Sequence, residues 1–293
     1  MNVSVRPKVR FWDFVTGSVR LVRMSNLVIV AITQYLTRIL LIGPRHEWRQ
    51  IISDPDLFIL SLSTVCIAAA GYIINDYFDI KIDIVNKPER VVVGRYLKRR
   101  WAMGAHQILN VLGAALGLLV NPWVFVVNVV SITLLWFYSE RYKRAPFIGN
   151  FIVSLLTGFT LLILTLRYPE NRQLVFIYAV FSFFISLIRE IIKDMEDIRG
   201  DEAHGCRTLP IIWGIRRTKQ FLYCVTFIFV TTLFFMAHTL NNPVLAVLFL
   251  LLLFPIGWLV YSLSISDTRR DFKKISSLCK MIMLLGLVTM LWA

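Results

Sequence analysis

Apolar runs near the ~20 residues that a membrane-crossing helix needs recur nine times along this chain. They start close to Met24, Leu57, Trp101, Pro122, Phe147, Leu174, Gln220, Val244 and Ile275. Inside a bilayer there is no water to satisfy free backbone groups, so such runs must close their hydrogen bonds internally, as helices do. The expectation is an all-α fold: a polytopic membrane protein of nine transmembrane helices, forming one domain over residues 1–293. Composition agrees. With 57% hydrophobic residues and a mean hydropathy of +0.67, the 293-residue chain has too few polar side chains for a soluble domain. Gln34, Thr37 and Arg38 interrupt the first run, and polar groups within a span are expected to face the bundle interior. That run has no small-residue cleavage site, so it reads as a retained span.

The charges between the runs fix an orientation. Of the 32 basic residues, 27 fall on one side of the nine-span layout. The positive-inside rule places that side, with the N-terminus, in the cytoplasm of a cell-membrane protein. In so apolar a chain the net charge of +14 speaks for contact with anionic lipid and not for a nucleic-acid partner. The four cysteines, Cys66, Cys206, Cys224 and Cys279, form no close-spaced pair, which leaves no zinc or disulfide pattern.

Two acidic segments lie on that same side. Asn75, Asp76, Asp79 and Asp83 follow the second run, and Asp194, Asp197 and Asp201 follow the sixth. Both triads have the spacing i, i+3, i+7, which gathers them on one helix face. Carboxylates this close repel one another, and a cation is the natural remedy. Oxygen donors suit Mg2+, which takes a few carboxylates and completes its shell with water and substrate phosphates. A solvated charged helix end is the plain alternative for one such triad, but two of identical spacing on one side favour metal. Lys81, Lys87 and Arg90 follow the first segment; Arg189 and Lys193 precede the second, and Arg207 follows it. Cations beside a metal are how sites clamp phosphoryl oxygens and stabilise a leaving diphosphate. Each of these cations is also explained by simple orientation. Arg189, inside an apolar helix, should have a partner; if Arg189 and Lys193 only set topology, they pair with Glu190 or Glu196. A third polar patch, Tyr138, Ser139 and Lys143, ends the fourth run. His204, in a loop over Gly205–Gly214, has no second ligand at metal spacing.

These residues resemble the UbiA superfamily of intramembrane prenyltransferases. The family's Asn-Asp-x-x-Asp-x-x-x-Asp motif is filled by Asn75, Asp76, Asp79 and Asp83, and its second motif by Asp194, Asp197 and Asp201. Tyr138 and Lys143 match its tyrosine–lysine motif, and Arg23 and Asn26 match a basic residue and asparagine at the start of span one. The stretches 189–197 and 205–210 look most like the digeranylgeranylglyceryl phosphate synthase branch. The branch's proline-rich loop after the first motif is reduced here to Pro88, Arg90 and Gly94.

The resemblance implies Mg2+-dependent transfer of a polyprenyl group from its diphosphate, geranylgeranyl diphosphate in that branch, to a membrane-associated acceptor such as geranylgeranylglyceryl phosphate. It implies that the nine helices surround a central cavity, with two Mg2+ ions held by Asn75, Asp76, Asp79, Asp83, Asp194, Asp197 and Asp201. Asp76, Asp79, Lys193, Asp194 and Asp197 would act in the reaction. Arg23, Asn26, Lys87, Arg90, Tyr138, Ser139, Lys143, Arg189, Lys193 and Arg207 would contact substrate. The alternatives are an aromatic acceptor, as in quinone synthesis, and a metal-dependent transporter or lipid-binding protein.

Overall fold

The computed structural model describes residues 19, 21–86, 91–239 and 242–293, without the side chains of residues 86 and 239. Among them are nine helices long and apolar enough to cross a membrane. They are α1 (Met24–Thr37, extended by a π-turn over Arg38–Ile42), α2 (Pro55–Asn86), α3 (Arg99–Val120), α4 (Pro122–Glu140) and α5 (Ile148–Leu162). The bundle continues with α6 (Arg172–Ala203), α7 (Leu209–Thr239), α8 (Pro243–Ile265) and α9 (Arg269–Thr289).

Two unbroken helices are much longer than a bilayer requires. Helices α2 and α6 have 32 residues each, about 48 Å at 1.5 Å per residue, against a hydrocarbon core of ~30 Å. Their surplus turns lie at the C-terminal ends and carry the two acidic segments. The connections at the opposite end are tight. Asn121 caps α4 by accepting from the Trp123 amide at 2.8 Å, with Pro122 at the first helical position, where its missing N–H costs nothing. Tyr168 donates to Asp54 at 2.6 Å, and Arg167 pairs with Asp56 at 2.6 Å.

Apolar side chains gain little by leaving lipid for a helix interface, so close packing and buried polar links hold such a bundle. Gln34 donates to Thr64 Oγ1 (3.1 Å) and to the Thr160 carbonyl (2.9 Å), tying α1 to α2 and α5. Ser63 donates to the Gly113 carbonyl (2.7 Å) and accepts from Asn128 (2.8 Å), joining α2, α3 and α4. Tyr178 and Thr289 share a 2.9 Å bond between α6 and α9. Gln34 and Thr37 are fully buried, and the Arg38 guanidinium stacks 4.2 Å from the Tyr168 ring centre. The polar residues of span one thus turn inward as expected.

The helices begin within a few residues of the expected starts except at α7 and α9. The expected loop over Gly205–Gly214 covers only the residues before Leu209. Helix α7 starts at Leu209 and breaks at Gly214, whose φ of 76° leaves the helical region. Pro210 sits in the first turn, where proline is tolerated, so a short helical segment precedes the break. Arg216, Arg217 and Lys219 lower the hydropathy there without interrupting the helix. Helix α9 starts at Arg269, six residues before the apolar run at Ile275, through a Thr268–Asp271 capping box. Helix α8 is interrupted at Leu252, because Pro255 has no N–H to bond one turn back.

Candidate functional site

Helix α2 runs without interruption through the first acidic segment, so Asp76, Asp79 and Asp83 share a face as their spacing requires. Asp79 is buried at 3% exposure. It accepts from Asn75 Nδ2 at 2.7 Å, one turn earlier, and from Lys143 Nζ. Lys143 also donates to Asn75 Oδ1 at 3.3 Å. Burial alone would lower the Lys143 pKa. Asp79 outweighs it, with Tyr138 and Asp83 adding, so the pKa stands above the ordinary lysine value and the ammonium stays charged. Asp76 accepts from Arg23 at 3.1 Å. Arg23, at φ 50°, lays its guanidinium 4.8 Å from the Tyr72 ring centre, and Asn26 reaches the Tyr72 hydroxyl at 3.3 Å.

The turn that presents Lys143 is built by its neighbours. Phe147 holds φ 64° between the rings of Phe151 and Phe221, a conformation that a bulky residue keeps only when its surroundings impose it. Gly149 lets the turn lie directly on α5. A Cβ there would stand 2.8 Å from the Tyr142 carbonyl oxygen and 3.1 Å from Lys143 Cα. Gly149→Ala should therefore displace Lys143 and lower turnover roughly tenfold or more, although Ala favours a helix over Gly by about 1 kcal/mol. Unchanged kinetics in a stable Gly149→Ala protein would show that this contact does not set the Lys143 position.

The second segment sits at the end of α6. Asp194 accepts from Asn150 on α5 at 2.8 Å. Arg189 has the expected partner: it bonds Glu190 Oε1 at 2.5 Å, while Lys193 lies 3.7 Å from Glu190 Oε2. Glu190 is also within electrostatic reach of Arg23 and Lys143. Tyr138 feels Lys143, Glu190, Asp79 and Asp194 together. The two segments thus meet around Tyr138, Lys143 and Glu190. Asp197 is half-buried. Asp201 is buried, and its carbonyl receives the Cys206 amide at 2.9 Å. The Arg207 amide donates to the Arg144 carbonyl at 2.8 Å, which ties the loop after α6 to the Lys143 turn, while the Arg207 side chain is exposed.

Ser139 does not join the group: its hydroxyl donates to Leu135 of its own helix at 2.9 Å. Lys87 and Arg90 lie outside the described residues. Sequence reasoning missed Asn150 and Tyr72, and it treated Glu190 only as a competing partner for Arg189 and Lys193. Asn150 stands four residues before Ser154 on the buried face of α5, a polar stripe that could have flagged it.

No three acidic, histidine or cysteine side chains stand grouped for a metal among the described residues. The donor set still fits Mg2+. It consists of carboxylate and amide oxygens on two helix ends, and such an ion takes only one or two carboxylates before phosphates and water complete its shell.

The UbiA prenyltransferase family model matches residues 45–286. The chain belongs to this family. It is a transferase of prenyl groups and an integral membrane protein. Among its relatives, the digeranylgeranylglyceryl phosphate synthase of Korarchaeum cryptofilum is 31% identical over 241 residues, 81% of this chain and 85% of that one. The synthase of that name from Sulfurisphaera tokodaii is 31% identical over 217 residues, covering 73% and 76%. A solved structure of digeranylgeranylglyceryl phosphate synthase superposes with a TM-score of 0.74 at 25% identity, covering 95% of this chain and 98% of that one. A UbiA homologue from Archaeoglobus fulgidus, bound to DMAPP and Mg2+, shares the fold with a TM-score of 0.64 at 15% identity, covering 94% and 99%.

Proposed function

We propose that this UbiA-family enzyme moves a geranylgeranyl group from its diphosphate to the free hydroxyl of geranylgeranylglyceryl phosphate. The observation that carries this reading is that one turn and the helix after it hold both segments: Lys143 bonds Asp79 of the first, and Asn150 on α5 bonds Asp194 of the second. One diphosphate placed there would be within reach of Asp76 and Asp79 on one side and Asp194 and Asp197 on the other. The relatives' shared name supports the glycerol-phosphate lipid as acceptor.

In this reading Asn75, Asp76, Asp79, Asp83, Asp194, Asp197 and Asp201 hold two Mg2+ ions, one per segment. The bound metal supplies positive charge against the diphosphate as its allylic carbon–oxygen bond breaks. Lys143 and Arg23 add fixed positive charge on the leaving group. In the structure these two cations are held by Asp79 and Asp76, which places them where a diphosphate bound beside these carboxylates would meet them. Arg189 and Lys193 are spaced one turn apart through Glu190 and set the charge of the opposite wall. The phenyl ladder Phe147–Phe151–Phe183–Phe184, with ring centres 5.2–6.0 Å apart, offers an apolar wall beside Asn150. Such a wall keeps water from an allylic cation.

The deciding experiment offers the purified protein geranylgeranyl diphosphate with an equal mixture of geranylgeranylglyceryl phosphate and 4-hydroxybenzoate. The ether lipid should dominate the products; a prenylated benzoate in its place would move the chain to the aromatic-acceptor enzymes.

The charge bias supports a cytoplasmic position for the acidic face. Lys81 is exposed just beyond Asp79. A Lys81→Cys protein with Cys224 replaced by serine should react with an impermeant maleimide only after the cells are opened. Labelling of intact cells would invert the topology.

A further inference from the structure

A charged cavity lined by no residue of the acidic segments lies between α7 and the α8–α9 connection. It has a volume of about 480 Å3 and is lined by Arg216, Lys219, Gln220 and Tyr223 from α7 and by Ser264 and Asp267 from the other wall. That volume falls in the ~300–1,000 Å3 range of small-molecule sites. The α7 residues are spaced i, i+3, i+4, i+7, so they share one helix face. The two walls are joined by Lys219, which is buried and bonds Asp267 Oδ1 at 3.0 Å and the Ser264 carbonyl at 3.4 Å. Asp267 thereby balances one cation. Arg216 is exposed and makes no ion pair among the described residues, so the cavity lining keeps a positive excess. Below it, α7 and α8 turn bulky apolar side chains outward: Phe227 is 72% exposed, Trp258 61% and Tyr261 55%.

A guanidinium over polar donors at one end, continuous with an outward apolar surface, matches the two halves of a phospholipid. We infer that this cavity binds the phosphate headgroup of an anionic membrane lipid, with Arg216 as the principal contact and the acyl chains lying against α7 and α8. Arginine presents a fixed fork of N–H donors to phosphate oxygens, and Lys219, held by Asp267, positions the wall without being the free charge. The inference is independent of the acceptor proposed above, because it uses no residue of the acidic segments.

The test follows the unfolding temperature of the detergent-purified protein as lipid is titrated. EDTA is present throughout, so that metal-dependent phosphate binding at the acidic segments is absent. Phosphatidylglycerol should raise the unfolding temperature to a plateau, and phosphatidylcholine should not. Arg216→Gln should raise the half-saturating phosphatidylglycerol concentration roughly tenfold. Arg270→Gln, which removes a nearby charge from outside the cavity, should change it less than twofold. An equal response from Arg216→Gln, an equal loss in Arg270→Gln, or an equal effect of phosphatidylcholine would overturn the site. Inorganic phosphate at the same concentrations should do nothing; if it reproduced the full shift, the ligand would be a free anion and the lipid assignment would fall.

Discussion

Asp79→Asn should lower prenyl transfer about a hundredfold or more, the scale on which removing one aligned electrostatic stabiliser acts. Asp79 has two tasks in this account. It is an oxygen donor for metal, and it accepts from Lys143 and Asn75. The amide keeps the shape but removes the charge, so Lys143 would be left as a half-buried cation without its carboxylate. Breaking a fully buried pair costs about 3–5 kcal/mol of stability; the partial exposure of Lys143 makes the cost here smaller, yet a loss of activity could still reflect poor folding alone. Lys143→Met, alone and combined with Asp79→Asn, separates the two. The double variant removes the stranded charge and should recover stability. Its activity should stay as low as that of Asp79→Asn, because the metal donor is still missing. Recovery of activity along with stability would show that Asp79 serves only to neutralise Lys143.

Asp194→Asn should cost about as much, close to a hundredfold, but with a different stability signature. Asp194 is held by a neutral partner, Asn150, at 2.8 Å. An asparagine at 194 can still accept from Asn150 and strands no charge, so the protein should unfold within a degree or two of wild type. Asn150→Ala should be milder, about tenfold, by letting the Asp194 carboxylate swing out of position. The loss in both variants should appear in kcat more than in KM, since the interaction proposed is with charge that develops as the bond breaks. An Asp194→Asn protein with wild-type kcat would leave the second segment without a catalytic part.

The architecture was open to sequence reading because lipid permits so little else. Nine runs of membrane length could only become helices, and the i, i+3, i+7 spacing placed each acidic triad on one face before any contact was known. What stayed hidden depends on packing between helices. That Glu190 takes up both Arg189 and Lys193 follows from rotamers on a crowded helix face, and sequence spacing alone offered Glu190 and Glu196 equally. Asn150 meets Asp194 only because α5 packs along α6. Gly149 matters through a 2.8 Å approach of a turn that follows a different helix. Ser139 looked like a phosphate contact from its neighbours Tyr138 and Lys143, yet its hydroxyl returns to its own helix, as serine hydroxyls often do within a span. The start of α7 was obscured because Arg216, Arg217 and Lys219 lower the hydropathy of a segment whose backbone is helical.

The most direct test of the account is the rate of ether-lipid formation by the purified protein from geranylgeranyl diphosphate and geranylgeranylglyceryl phosphate as Mg2+ is titrated. The account predicts no transfer in EDTA, a saturable rise with Mg2+, and rates for Asp79→Asn and Asp194→Asn that stay low at every Mg2+ concentration. Transfer that persists in EDTA, or wild-type rates from both variants, would contradict it.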